Sequence, residues 1–173
     1  HHSISQQLEF AETETDLQAT WNSLNKEQKL NNDYIQAFCQ TGLKLGMNEE
    51  VAKLTENTIN NIFSDKLLEI WLQLNIDVQI KLKTAEKWLR KNPENALLLQ
   101  SIGQLCLQNK LWGKAKDYLD KSLNFQQQAK TYKLMAQYYT AVGEPDNALK
   151  SYQQAEMFQT QLVIMDESKT EEN

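Results

Sequence analysis

Cys39, Cys106, a scattering of carboxylates and one pair of lysines are the residues whose types and spacing could do chemistry in this chain. The sequence holds only two histidines, His1 and His2. With Ser3 they read as a tag remnant over residues 1–3. Without a further histidine, no Ser–His or Cys–His nucleophile can be assembled, and the commonest metal ligand is missing. Cys39 and Cys106 are single and far apart, so they make neither a CxxC motif nor a disulfide framework and read as small buried residues. Carboxylates pair only in exposed-looking runs such as Glu49-Glu50 and Glu171-Glu172, which read as first-turn helix-dipole partners and tail solubilisers. No GxGxxG, P-loop, HExxH or EF-hand spacing occurs. The expectation is a protein that is not an enzyme and has no metal or cofactor. Lys130 and Lys133, three residues apart, fall on one side of a helix and could meet a carboxylate or an acidic peptide.

The elements that must carry these residues are helical. Glycine (5) and proline (2) are scarce, and no stretch alternates like a strand. Nine helices are expected, among them 15–28, 31–46, 48–63, 64–75, 78–92 and 111–123, the rest lying in the repeats at 96–128 and 129–162. The first buries Leu17, Trp21 and Leu24. The helix at 78–92 buries Val78, Leu82, Ala85 and Leu89. Trp71 and Trp88 lie in apolar helical patterns and read as packing residues, while Trp112 staples a turn beside Leu111. Asn92-Pro93-Glu94 reads as N-cap, proline at N1 and first-turn acid. Gly46 and Gly143 end helices, Ser64 starts one, and Pro145 opens another. One domain is expected over 4–165, followed by a disordered acidic tail at 166–173. Within it, 161–165 caps the apolar end or stands exposed as a sticky patch. No apolar run is long enough to cross a bilayer. Net charge is −5, which argues against nucleic acid as a partner. That charge is segregated. Residues 1–78 hold 12 acids and 5 bases, residues 79–133 hold 4 acids and 11 bases, and the remainder holds 7 acids and 2 bases. The basic middle is a candidate surface for an acidic partner.

Two stretches repeat. Leu99, Ile102, Gly103, Cys106, Ala115, Leu119 and Ser122 align with Tyr132, Met135, Ala136, Tyr139, Ala148, Tyr152 and Ala155, every pair 33 residues apart. Gly103/Ala136 and Ala115/Ala148 are small where two helices of a hairpin approach closely, and Leu119/Tyr152 fill the gap to the next hairpin. This resembles the tetratricopeptide-repeat (TPR) pattern, with the clearest units at 96–128 and 129–162. The resemblance implies an α-solenoid of antiparallel helix pairs in a right-handed superhelix, with a groove lined by the first helix of each pair. The groove positions are then Leu97, Gln100, Gln104 and Leu107, followed by Lys130, Lys133, Gln137 and Thr140. The candidate protein-binding residues are accordingly Gln100, Gln104, Lys130, Lys133 and Gln137. Ser101 and Leu134 stand where the dicarboxylate clamp of chaperone-binding TPR domains has Asn, so chaperone tails are not the expected ligand.

A narrower resemblance runs over 85–123, "AEKWLRKNPENALLLQSIGQLCLQNKLWGKAKDYLDKSL", and more loosely from Leu17 to Lys83 and on to 155. Leu98, Leu99, Gly103, Leu105, Cys106, the run Leu111–Ala115, Tyr118, Leu119, Ser122 and Leu123 are similar to the proteobacterial HemY family, with Ile102 where Leu is usual. The resemblance implies a TPR region held at the bacterial inner membrane by an N-terminal anchor upstream of this sequence, which does not begin with Met. It places that region on the cytoplasmic side. It also implies a scaffold for haem-biosynthesis (porphyrin-biosynthesis) enzymes, here as a monomeric, soluble fragment. The alternative is a peptide-binding TPR domain of another membrane-associated assembly factor. Haem itself would have to use Cys39 or Cys106 as ligand. Neither is followed by proline, and Cys106 occupies a repeat packing position, so bound haem is not expected.

Overall fold

The computed structural model describes residues 2–171; His1, Glu172 and Asn173 lie outside it. Every regular element among the described residues is helical. The contacts divide the chain into two compact units, His1–Ile76 and Asp77–Asn173. The helices at 64–75 and 78–92, expected as one hairpin, fall on either side of that division.

The first unit contains α1 (Ile4–Phe10), α2 (Glu14–Asn22), a 3-10 turn (Gln28–Leu30), α3 (Asn32–Lys44), α4 (Asn48–Asn61) and α5 (Asp65–Leu72). Helix α1 is an addition to the nine expected. Ser3, set aside as tag remnant, caps it. Its hydroxyl accepts from the Gln6 N–H and the Gln6 side chain accepts from the Ser3 N–H, a reciprocal capping box. Leu8 of α1 is fully buried, and the helix packs on α3. The helix expected over 15–28 stops at Asn22. Asn25 and Gln28 then exchange two side-chain bonds of 2.8 Å with each other's N–H groups, which holds a turn in place of a further helical turn. Leu17 and Leu24 are buried as expected, while Trp21 is half-buried with its ring 4.7 Å from Phe38. Trp71 is fully buried and its indole N–H donates to Glu56 at 3.0 Å, so this ring is core.

The second unit contains α6 (Val78–Lys91), α7 (Ala96–Gln108), α8 (Trp112–Phe125), α9 (Ala129–Ala141) and α10 (Pro145–Glu171). Helix α6 buries Lys81, Leu82, Ala85 and Trp88. That face is rotated from the expected one, and Val78 and Leu89 are only half-buried. Asn95, not Asn92, caps α7, its side chain accepting from the Leu98 N–H. Pro93 instead sits inside a turn closed by the Asn95 N–H on the Asn92 carbonyl, a position its fixed φ suits. The tail expected to be disordered from 166 continues α10 to Glu171. Nothing between 146 and 171 breaks a helix, since proline and glycine are absent there.

Three helix-to-helix turns share one geometry. Gly46 (φ 76), Lys110 (φ 58) and Gly143 (φ 79) take a left-handed backbone. The next N–H in each case reaches back to a carbonyl: Met47 to Gly42 at 2.9 Å, Leu111 to Cys106 at 2.8 Å, Glu144 to Tyr139 at 2.8 Å. This is the Schellman arrangement that satisfies a helix's last carbonyls. Superposing the turns fixes a third repeat register that the sequence alone did not reveal. Ile35, Phe38, Cys39, Gly42, Val51, Thr55 and Thr58 each lie 64 positions before Leu99, Ile102, Gly103, Cys106, Ala115, Leu119 and Ser122. In this hairpin, α3–α4, two sizes are exchanged. Gly42 replaces a larger residue, and Val51 stands where the others have alanine. A Cβ at Gly42 would lie 2.6 Å from Val51 Cγ2.

Candidate partner-binding face

Helix α9 carries the lysine pair because its other side is used for packing. Thr131, Leu134, Met135 and Ala136 are buried. Leu134 and Met135 form a cluster with Leu119 of α8, against which Leu107, Leu123 and Tyr139 also pack. The hairpin α7–α8 beneath is locked by close approach: a Cβ on Gly103 would meet Leu119 Cδ2 at 2.7 Å. Ser122, fully buried, donates to the Ala96 carbonyl at 2.7 Å and ties the end of α8 to the start of α7. With that side spent, Lys130, Lys133 and Gln137 are all exposed. Their spacing keeps them within one side of the helix.

The earlier half of the expected groove differs. Gln104 is half-buried, and Gln100 is only 1 % exposed. The Gln100 amide donates to Thr131 Oγ1 at 2.8 Å and to Gln128 Oε1 at 3.0 Å. Gln100 is therefore a bond between α7 and α9 and not a surface donor. The expectation treated each repeat alone and did not count the cover that the next helix provides. Thr131 and Gln128 belong to the same buried polar contact, which was missed; a Gln and a Thr 31 residues apart give no local signal.

Of the repeat positions, Leu99, Ile102, Gly103, Cys106, Ala115, Leu119, Met135, Ala136, Ala148 and Ala155 are buried, and Tyr132 and Tyr139 are half-buried. Tyr152 departs: it is 48 % exposed, because none of the described residues covers the outer side of α10 as α9 covers Leu119. Tyr132 stacks on Phe158 of α10 at 5.4 Å.

Two of the three bases of α8, Lys116 and Lys121, are engaged elsewhere. Lys116 pairs with Asp120 at 2.7 Å, and that hydrogen bond raises its pKa. Lys121 sits 5.9 Å from the centre of the Tyr118 ring. Tyr118 donates to Glu86 at 3.1 Å, and burial, with the Glu86 charge next, pushes its hydroxyl up to about 12. Both thiols are buried. Burial pushes Cys39 up to about 12. Burial, then Glu86, pushes Cys106 up to about 11 against a smaller opposing effect of Lys114. At neutral pH both stay protonated, so neither presents a thiolate to a metal or an electrophile. Among the described residues no group of three or more His, Cys, Asp or Glu could hold a metal ion, and no helix is long and apolar enough to cross a membrane.

Hairpins joined by a repeated turn, with small residues where the two helices meet, define the fold as that of TPR proteins. Solved structures agree. A crystal structure of MamA matches at a TM-score of 0.65 with 13% identity, over 86% of this chain and 90% of that chain. TTC0263, a thermophilic TPR protein of Thermus thermophilus, matches at 0.63 with 16% identity, over 83% and 82%. At such identities the likeness is one of fold. No family model and no curated protein matches the sequence.

Proposed function

We propose that this chain is a non-catalytic protein-binding scaffold whose contact face is the exposed side of α9. The observation that carries this reading is the exposure of Lys130, Lys133 and Gln137 together on a helix whose opposite side is anchored in the repeat packing. Two ammonium groups a turn apart suit a carboxylate-bearing partner, and the helix holds their backbone positions in place, so that only the lysine side chains are ordered at binding. Gln100 supports this face from beneath by fixing α9 on α7, and Gln104 follows one helical turn later on α7, half-buried.

The narrower reading rests on the HemY resemblance over residues 85–155. In it the chain is the single TPR region (4–165) of a protein anchored in the bacterial inner membrane, facing the cytoplasm and gathering enzymes of haem biosynthesis. The test is co-purification of the full-length protein with each late haem-synthesis enzyme separately, before and after Lys130→Glu with Lys133→Glu. Retention of one enzyme that the double variant loses supports both readings. Binding of an acidic protein outside haem synthesis, lost in the same variant, keeps the scaffold and removes the haem assignment. Binding that ignores the double variant removes the α9 face.

A further inference from the structure

Helix α6 carries a row of bases that no carboxylate among the described residues neutralises. Lys83, Lys87, Arg90 and Lys91 are all exposed and form no ion pair there. At intervals of three and four they fall on one side of the helix, about 12 Å from first to last. Arg90 and Lys91 suit the carbonyl end of α6, but Lys83 and Lys87 lie before its last turn. Like charges four apart, as in Lys83–Lys87 and Lys87–Lys91, weaken a helix. Glu86, the one acid in α6, is turned aside to accept the Tyr118 hydroxyl at 3.1 Å. That bond also orients α8. Helices α6 and α8 each run antiparallel to α7 and so parallel to each other. Outward from the Tyr118–Glu86 contact, helical spacing brings Lys83 and Lys87 on α6 to the same side as Lys114 and Lys121 on α8, both exposed. Lys114 falls near the level of Lys83, and Lys121 near that of Lys87 and Arg90. Of the acids of α8, Asp117 is exposed within this face, while Asp120 pairs with Lys116 on the flank near Tyr138 and Tyr139 of α9. Two large apolar side chains border the bases: Ile80, 57 % exposed, one turn before Lys83, and Phe125, 49 % exposed, one turn after Lys121.

We infer that the outer sides of α6 and α8 form a peripheral contact for an anionic phospholipid surface. All but one of these bases are lysines. Ammonium groups on flexible stems suit a fluid field of lipid phosphates, whereas a fixed bidentate acceptor favours arginine. Ile80 and Phe125 enter the boundary between headgroups and acyl chains, where a cationic helix face places its apolar side chains. A duplex phosphate backbone would leave both of them in water. The net charge of −5 does not prevent the contact. At physiological salt, charges beyond about 8 Å are screened, so the local face outweighs the distant acids. Each base close to an anionic leaflet strengthens partition about fivefold. This surface is separate from the exposed side of α9 and stands whether or not that side binds a protein.

Co-sedimentation of the 173-residue chain with lipid vesicles tests the inference. Phosphatidylcholine vesicles with about one-third phosphatidylglycerol should carry the protein down at about 50 mM salt and release it at about 500 mM. Vesicles of phosphatidylcholine alone should not. Lys83→Glu with Lys87→Glu, and separately Lys114→Glu with Lys121→Glu, should each weaken partition about tenfold or more with circular dichroism unchanged. Lys83→Gln with Lys87→Gln should weaken it by a smaller factor. Lys130→Glu with Lys133→Glu makes the same change in net charge and should alter partition by less than about twofold. Phe125→Cys carrying an environment-sensitive fluorophore should shift to the blue on anionic vesicles, and Gln137→Cys on α9 should not; the two native thiols are buried and stay unlabelled. No sedimentation with the anionic vesicles at low salt, equal retention on neutral ones, or an equal loss in the Lys130/Lys133 variant would each overturn the contact. Binding to duplex DNA or to polyglutamate but not to vesicles would overturn it in favour of a polyanion of another class.

Discussion

Gly103 is the residue on which the best-defined hairpin turns. Any side chain there runs into Leu119, whose Cδ2 and Cγ stand 2.7 and 2.8 Å from the position of a Cβ. Gly103→Leu is therefore expected to destabilise the fold by about 3 kcal/mol through overpacking, despite leucine's better helix propensity. Thermal unfolding checks it, and an unchanged melting temperature would refute the α7–α8 contact. The cysteines make a second residue-level prediction. Their folded pKa values, about 12 for Cys39 and about 11 for Cys106, lie above the ordinary 9.0. The folded state thus holds these protons more tightly than the unfolded state. That contribution is complete below about pH 9 and is lost as the pH rises towards about 11–12. Denaturant titrations at about pH 7, 9 and 10.5 should show stability falling across the upper interval, by less in Cys39→Ala with Cys106→Ala. An equal fall in the double variant would exclude the thiols as a cause.

At the scale of the element, the α3–α4 hairpin reaches the same close packing as α7–α8 with its sizes exchanged. Gly42→Ala alone should destabilise, because its Cβ meets Val51 Cγ2 at 2.6 Å. Val51→Ala alone should also destabilise, because it empties a fully buried site. Together they put alanine at both positions, so that the methyl added at 42 enters the space vacated at 51. The double variant should recover about 1 kcal/mol or more relative to the sum of the single effects. Strict additivity in a double-mutant cycle would mean that the two residues do not share one space. The turns belong to this scale too. Gly143 has φ 79 and nothing within 4 Å of a Cβ, so Gly143→Ala tests backbone strain without a steric clash. It should lower stability by about 1 kcal/mol, readable in urea unfolding, and no change would argue against the left-handed cap.

For the molecule as a whole, charge segregation sets the terms of association. The basic stretch 79–133 holds 11 bases against 4 acids and spans α6 to the first turn of α9. An acidic partner approaching Lys130 and Lys133 therefore enters a positive field, and its association should weaken with added salt. Lys130→Glu with Lys133→Glu should cost about 1–3 kcal/mol of binding while leaving circular dichroism intact, since both side chains are exposed. Isothermal titration at two ionic strengths checks both parts. Full affinity in a folded double variant would move the contact off α9.

The helix positions from α3 onward, the repeated residues of 96–155 and the scarcity of catalytic side chains were legible in the sequence itself. All three depend on local patterns: apolar residues at three- and four-residue spacing, small residues recurring after 33 positions, glycine or proline at helix ends. The third register, in α3–α4, needed the structure. Exchanging the sizes of Gly42 and Val51 conserves the packed volume of the pair while erasing the pattern of each residue. Helix α1 was hidden for a different reason: its capping box begins at Ser3, inside residues set aside as a tag. Only the tertiary structure could decide which groove residues are open. Gln100 and Lys133 occupy the same kind of position on their own helices. Yet Gln100 is sealed by Thr131 and Gln128 of the following repeat, whereas none of the described residues covers Lys133. Accessibility is a property of what packs next to a helix, and in a stack of repeats that neighbour lies about thirty residues away along the chain.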